Sequence, residues 1–509
     1  MKKVKIVSAA EAVNLVKNGD TVAVCGCENI LTPETILSAL GERYRKTGEP
    51  HNLTEVHPII VGMQPNTGLE HFAQKGMVKR AVGSGFSYLK TSEYTSMLIE
   101  NQFEAHVLPM GTIFQMLRDI AQGKSTTLTK AGIGTFVDPI QEGGRMNQKA
   151  EHSLASRVTI NNELFLSYSL FPIDIAIIRG TTVDEYGNIS LEDEPTSLGI
   201  KTLAMAAKNS GGKVIAQVRR MTREGTIHPR MVEVPGIFVD AVVIDPEQNI
   251  SGGSSINPAL TGETRLPENE IEKLPSGVRK VIVQRAAAEI ENDQIINLGV
   301  GIPVDIPKIL VEQGDRKNAT FFPEHGSIGG IPGDRSIFGT NINPEAIIDS
   351  TQVFDFFLGG GLDITFLGVG QIDARGNVNV SKFNGIVPGC GGFIDITYKT
   401  PKVVFCGTFT AGGAEIEIGN GELTIKKEGK YKKFIESVEQ ITFNAEESFR
   451  RNQHVLYITE RAVFSHDGKG LVLEEVAPGI DIQKDILDLI PFEVRMSNDI
   501  KKMDKKLFY

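Results

Sequence analysis

Residues 174–188, DIAIIRGTTVDEYGN, and residues 363–377, DITFLGVGQIDARGN, share one framework. In each, an apolar run follows an aspartate, Asp174 or Asp363, and closes on an Asp-x-x-Gly-Asn turn. The turn residues are Asp184, Gly187 and Asn188 in the first stretch, and Asp373, Gly376 and Asn377 in the second. A lysine–valine pair then opens a further apolar run, at Lys213-Val214 and at Lys402-Val403. Every one of these pairs is separated by 189 residues. Short apolar runs bounded by turn residues read as strands. The same turn at the same spacing, twice, marks the chain as a duplication of one α/β unit.

Further upstream, Ser8-Ala9-Ala10-Glu11 forms a capping box. Ala9, Ala12, Val13 and Val16 then recur at helical spacing, which predicts an amphipathic helix to about Asn18 with Gly19 as its stop. Thr21 to Cys25 reads as a buried strand, Gly26 as a turn, and Thr32-Pro33-Glu34 as the capped start of the next helix. The same order returns with Ala286 to Glu291, Gln294 to Leu298, and the turn Gly299-Val300-Gly301-Ile302-Pro303. Asn18 and Asn292 correspond in this echo, an offset of 274. The two offsets differ by 85 residues, so the first half carries an insertion of that size, expected around 111–156.

The fold class expected is α/β: two similar open-sheet α/β domains from an internal duplication. Their expected ranges are 1–248 and 278–509, with residues 249–277, rich in Gly, Ser and Pro, as a linker. The basic tail from Lys501 to Tyr509 is expected to fray.

Composition narrows the function. The N-terminal lysines lead into no apolar core of a secretory signal, and no stretch is apolar for long enough to span a membrane. Cys25, Cys27, Cys390 and Cys406 are too few for a disulfide framework and read as buried free thiols in a reducing cytoplasm. A formal net charge of -10 argues against nucleic acid as a partner. The densest basic cluster, Arg219, Arg220, Arg223 and Arg230, reads first as a solvated face. Gly299-Val300-Gly301 lacks the third small residue of a dinucleotide fingerprint, and Gly407 to Ala414 lacks the lysine of a phosphate loop. There is no Gly-x-Ser-x-Gly elbow and no His-Glu-x-x-His pair, so neither a serine hydrolase of that type nor a catalytic metal is expected.

What remains is Phe321-Phe322-Pro323-Glu324-His325-Gly326-Ser327-Ile328-Gly329-Gly330. Pro323 fixes its own φ, and the glycines permit backbone paths that a Cβ forbids. Such a turn presents Glu324 from rigid backbone, and a carboxylate so placed is able to attack an activated acyl group. By itself the pattern also fits a solvated turn glutamate.

Taken with Gly359-Gly360-Gly361-Leu362-Asp363, Gly389-Cys390-Gly391-Gly392-Phe393 and Phe405-Cys406-Gly407-Thr408-Phe409-Thr410, this segment resembles the class I CoA-transferases that work through a glutamyl thioester. The likeness is nearest to the fused-chain propionate and acetate/3-oxoacid members, and runs from Val13 to about Pro491. It implies ping-pong transfer between an acyl-CoA and a small carboxylic acid, through an acyl-glutamyl anhydride and a covalent enzyme–CoA thioester on Glu324. Coenzyme A is then a substrate, with no permanently bound cofactor. The resemblance also implies Gly392, with Gly391 next, as backbone oxyanion donor. It implies Gly299, Gly301, Gly359, Gly360, Gly361 and Lys382 along the CoA path, and a homodimer or homotetramer in the cytoplasm.

The chain departs from the family pattern at three places. Met110 stands where a glutamine donates toward the acyl group, and Gln115 is the nearest amide able to replace it. His325 replaces Asn or Ser beside the nucleophile, where it is able to donate a hydrogen bond or to charge near pH 6.5. The turn Gly26-Cys27-Glu28-Asn29 is longer and less glycine-rich than usual. An apolar acyl pocket at Met110 leads to a short- or medium-chain fatty acid as acceptor. An acyl-CoA hydrolase on the same fold and a non-catalytic acyl-CoA sensor are the rival readings.

Overall fold

The computed structural model describes residues 3–62, 64–249, 256–267, 270–333 and 337–509. One sheet is built from β1 (Lys5–Ile6), β2 (Thr21–Val24), β3 (Leu53–His57), β4 (Val78–Gly83), β5 (Glu104–Val107), β6 (Ile175–Asp184), β7 (Ile189–Ser190), β8 (Lys213–Thr222) and β9 (Ala241–Ile244). Its spatial order is β1-β9-β8-β6-β2-β3-β4-β5, with β7 beside β6. All neighbours are parallel except β7, which runs against β6.

The other sheet holds β10 (Ile295–Leu298), β11 (Thr320–Phe321), β12 (Ile364–Gly368), β13 (Lys402–Cys406), β14 (His454–Ile458), β15 (Ala462–His466), β16 (Leu471–Val476) and β17 (Arg495–Lys502), in the order β11-β10-β12-β13-β14-β15-β16-β17. The five-strand path β9-β8-β6-β2-β3 therefore recurs as β14-β13-β12-β10-β11.

Side-chain chemistry shows why both halves fold alike. Lys213 lies opposite Ile175 and Lys402 opposite Ile364, the same register in each sheet. The Asp174 carboxylate accepts from the Thr21 N–H at 2.8 Å, and Asp363 accepts from Ile295 N–H at 2.7 Å, so the aspartate before the strand ties it to its neighbour. Asp184 accepts from the N–H groups of Tyr186 and Asn188, both at 2.9 Å, and Asp373 accepts from those of Arg375 and Asn377, both at 3.0 Å. An aspartate that binds its own backbone two residues on makes a turn without outside help.

Several local expectations are corrected. The first helix covers only Ala9–Ala12, followed by a 3-10 turn over Val13–Leu15, because Val13, Asn14 and Val16 are poor helix formers. Helix α1 (Glu34–Thr47) begins behind Pro33, and Thr32 does not cap it, since its hydroxyl donates to the Glu28 carbonyl at 2.5 Å. Within 111–156, helix α2 (Met110–Ala121) leads into a separate three-stranded sheet of Thr126–Thr129, Glu163–Ser169 and Ala155–Ile160. β4 and β5 have no counterpart beyond β11, so part of the 85-residue surplus lies ahead of Gly111. The helix expected at 286–291 is α3 (Val278–Ala287). Of the stretch 249–277, residues 250–255 and 268–269 lie outside the described residues, and Pro258–Thr261 is a short helix capped by Asn257. The tail does not fray: β17 pairs with β16, and Met503 and Phe508 are buried in the hydrophobic core. Arg219 and Arg220 are ion-paired with Asp193 and Glu192.

The halves meet backbone to backbone. A Cβ on Gly85 would lie 1.9 Å from the Pro388 carbonyl oxygen, and one on Gly389 would lie 2.2 Å from the Gly85 Cα. Glycine is required on both sides of this seam. Beside it, the Gly391 N–H donates to Ser84 O and the Met110 N–H donates to Gly391 O, each at 2.9 Å.

Candidate active site

The carboxyl ends of strands from both sheets converge on one cavity, the usual ligand position in open α/β sheets. Cys27 and Glu28 follow β2, Ser84 follows β4, Gly299 follows β10, Gly368 ends β12, and Glu324 lies three residues past β11. The cavity measures about 150 Å³. About 10–15 Å³ of such space holds one water, so the cavity admits a group the size of a short acyl chain.

Glu324 is 7% exposed and lines this cavity. One of its oxygens, Oε2, accepts from Asn297 Nδ2 at 3.3 Å. Asn297 is itself oriented by Thr365, whose hydroxyl donates to Asn297 Oδ1 at 3.2 Å, and it donates also to the Phe322 carbonyl at 3.2 Å. Asn341, fully buried, donates to the carbonyls of Gly329, Phe321 and Ser327, clamping the turn from behind. Gly326 closes it at φ +116°, where a Cβ would meet the Ile348 carbonyl oxygen at 2.0 Å.

His325 also lines the cavity, with Nε2 3.3 Å from Cys27 Sγ, and Nδ1 has no hydrogen-bond partner among the described residues. Burial pulls its pKa below the ordinary value, only partly opposed by Glu324, so it is neutral at neutral pH and does not charge near 6.5 as expected. Burial pushes the Cys27 and Cys390 thiols well upward, which leaves Glu324 without a rival thiolate nucleophile from these two.

The glycines expected to donate to the oxyanion separate clearly. The Gly391 N–H is occupied by Ser84 O, whereas the N–H of Gly392, the N-cap of the helix Phe393–Lys399, has no partner among the described residues. Met110 lines the cavity, its methyl carbon 3.8 Å from a Cβ placed on Gly391. Gln115 instead turns outward, donating to Leu128 O at 3.4 Å, and does not replace the missing donor.

Of the expected CoA-path residues, Gly299 lines the cavity. Gly301 is exposed with open space around it. Gly359, Gly360 and Gly361 end the helix Ser350–Gly359, with Gly360 left-handed at φ +96° as its cap. They precede β12 and so lie at the opposite end of that strand from the cavity, which removes them from its lining. Lys382 turns its ammonium to the Met146 carbonyl at 3.2 Å, two residues past Val380 in the cavity wall.

Three residues here escaped sequence reasoning. Asn297 had a signal, a polar residue inside the apolar strand Ile295–Leu298. Ser84 had none; it is 1% exposed, and its hydroxyl has no partner among the described residues. Glu28 lay in a turn noted for its length and its few glycines, with no role given to its carboxyl, yet burial pushes that carboxyl to about 7. Among the described residues, no group of His, Cys, Asp and Glu is arranged to hold a metal ion, and no helix is long and apolar enough to cross a membrane.

The coenzyme A transferase family model matches residues 6–245. Over 508 residues the chain is 40% identical to the acetate CoA-transferase YdiF of Escherichia coli strain K12, covering 99% of this chain and 95% of that protein. Over 519 residues it is 41% identical to the caffeate CoA-transferase of Acetobacterium woodii, covering 99% and 97%. The crystal structure of the acyl-CoA transferase YdiF apoenzyme from E. coli O157:H7 matches with a TM-score of 0.94 at 39% identity, covering 100% of this chain and 96% of that one. The thioester complex of the same enzyme with CoA matches equally, at 0.94.

Proposed function

Since the chain belongs to the coenzyme A transferase family, we propose that it exchanges coenzyme A between a short-chain acyl-CoA and acetate or a related monocarboxylic acid, with Glu324 as the carrier. The Glu324 carboxylate attacks the thioester carbonyl, the C–S bond breaks, and CoA thiolate leaves behind an acyl-glutamyl anhydride. The thiolate then attacks the glutamyl carbonyl and expels the first acid as its carboxylate, giving a glutamyl-CoA thioester. An incoming carboxylate runs the two steps in reverse and departs as the new acyl-CoA.

The observation that carries this reading is the Glu324 carboxyl itself, clamped by Asn297 on a rigid glycine turn and facing a cavity sized for an acyl group. The thioester complex with CoA of the E. coli acyl-CoA transferase YdiF supports the covalent intermediate. Gly392 is the oxyanion donor in this scheme, because its N–H is uncommitted while that of Gly391 is not. Coenzyme A enters past Gly299 and Val300, the latter 47% exposed at the cavity mouth.

Ile59, Ile60, Met110, Phe338 and Ile396 make most of the wall apolar, which favours unbranched saturated acids. Initial rates at varied acyl-CoA and varied acid are expected to give parallel double-reciprocal lines, and intersecting lines would contradict the carrier. Values of kcat/KM across acetate, propionate, butyrate, acetoacetate and hexanoate are expected to favour the saturated acids. CoA release as fast without acid as with it would instead indicate a hydrolase.

A further inference from the structure

Glu28 looks into the acyl cavity from the first half of the chain, across from Glu324. Its backbone is left-handed at φ +51° and held on three sides. The N–H donates to Ile60 O at 2.8 Å, while the carbonyl accepts from the Gly62 N–H at 2.6 Å and the Thr32 hydroxyl at 2.5 Å. A non-glycine residue is strained in this region, and such conformations collect at functional sites. Ile59, Ile60, Tyr88 and Met110 share the cavity wall with Glu28, and no hydrogen bond to its carboxyl exists among the described residues. A half-buried carboxyl with no protein partner is open to a ligand that supplies one.

Every other titratable group lining the space has been placed. Glu324 and His325 come from the second half, with Cys390; Cys27 and Tyr88 come from the first. Both thiols stay protonated and the imidazole stays neutral. The acid that must enter is an anion, and the described lining offers it no lysine or arginine.

Building on the transferase reading, we propose that Glu28 is the recognition group for the free acid: its protonated carboxyl donates a hydrogen bond to one carboxylate oxygen of the acid that attacks the glutamyl thioester. The other oxygen of that carboxylate forms the new bond to the thioester carbonyl carbon, and the C–S bond breaks to release CoA thiolate and leave the acyl-glutamyl anhydride. The proton remains on Glu28 throughout. Burial places the change of state at about 7, so the neutral, donating form is abundant at neutral pH. Once ionised, Glu28 repels the same anion in a water-poor cavity. Affinity for the acid is therefore full below about 7 and is lost as pH rises through it.

The test uses the whole enzyme, preloaded with acetyl-CoA and checked by intact mass for the covalent CoA adduct. Discharge of that adduct by butyrate is then followed from acid to alkaline pH for the parent, Glu28→Gln and Glu28→Ala. With a midpoint near 7, the apparent KM of the parent for butyrate rises about tenfold between pH 6 and pH 8. Glu28→Gln, which keeps an N–H donor but cannot ionise, shows a flat KM over that range. Glu28→Ala raises the KM about five- to tenfold at pH 6 while still loading CoA, which shows that it folds. A flat parent profile, the parent's slope retained in Glu28→Gln, or the parent's KM in Glu28→Ala each overturns the role. Failure of the parent to load CoA overturns the transferase reading itself, and the Glu28 role with it.

Discussion

Replacing Gly326 by alanine perturbs the proposed nucleophile, Glu324, without touching it. Gly326 lies two residues past Glu324 at φ +116°, and its carbonyl accepts from the Ile348 N–H at 3.0 Å. An added Cβ would stand 2.0 Å from the Ile348 carbonyl oxygen, whereas real contacts of this kind are not closer than 3.0 Å. The turn must therefore move by about 1 Å, against the hold of Asn341 on Gly329, Phe321 and Ser327. Left-handed strain adds about 1–2 kcal/mol and the overpacking about 1–3 kcal/mol, so the variant loses roughly 3 kcal/mol of stability. A displacement of about 1 Å at a reacting group lowers the rate by roughly a hundredfold. Steady-state kcat/KM for transfer, read beside a thermal melt, checks both numbers. Gly359→Ala is the matched control: a Cβ there meets nothing within 4 Å, and the site ends a helix away from the cavity. It is expected to keep the parent's kcat/KM. Parental activity in Gly326→Ala, or a hundredfold loss in Gly359→Ala, would refute the placement of the reacting turn.

Met110→Ala enlarges the apolar wall beside Gly391, so the ratio of kcat/KM for hexanoate over acetate is expected to rise about tenfold; an unchanged ratio removes Met110 from the acyl pocket. Asp395 is buried between the halves, accepts from the Gly111 N–H at 2.8 Å, and is pushed by that burial to about 7. A carboxyl raised above its unfolded value binds its proton more tightly when folded, so its contribution to stability falls as pH rises from the ordinary carboxylate range to about 7. Asp395→Asn removes that slope, and its melting temperature relative to the parent is expected to be higher at pH 8 than at pH 5; a pH-independent difference contradicts the assignment.

Local chemistry was legible in the sequence and distant chemistry was not. The Asp184 and Asp373 turns bind their own backbone, so their pattern survives without reference to the rest of the fold, and the shared offset led to the duplicated strand order. Glu324 stood out because Pro323 and three glycines constrain a turn in sequence as in space. The other cavity groups come from the ends of separate strands. Nothing near Ser84 in sequence indicates that Gly391 will bind its carbonyl, or that Glu28 will share a cavity wall with Met110 and Tyr88. A glycine run is ambiguous for a physical reason: Gly359 to Gly361 fit a ligand path or a left-handed helix cap equally, and only the direction of β12 separates the two. The tail was misread because Met503 and Phe508 are sparse among lysines, yet both are buried.

The most direct test of the carrier role of Glu324 is intact-mass analysis after incubation with acetyl-CoA, for the parent and for Glu324→Ala. The parent is expected to gain the mass of one coenzyme A less one water, discharged by added butyrate, while Glu324→Ala gains nothing and transfers no CoA. An equal adduct on Glu324→Ala, or transfer by it at the parent's rate, would contradict a glutamyl thioester at this position.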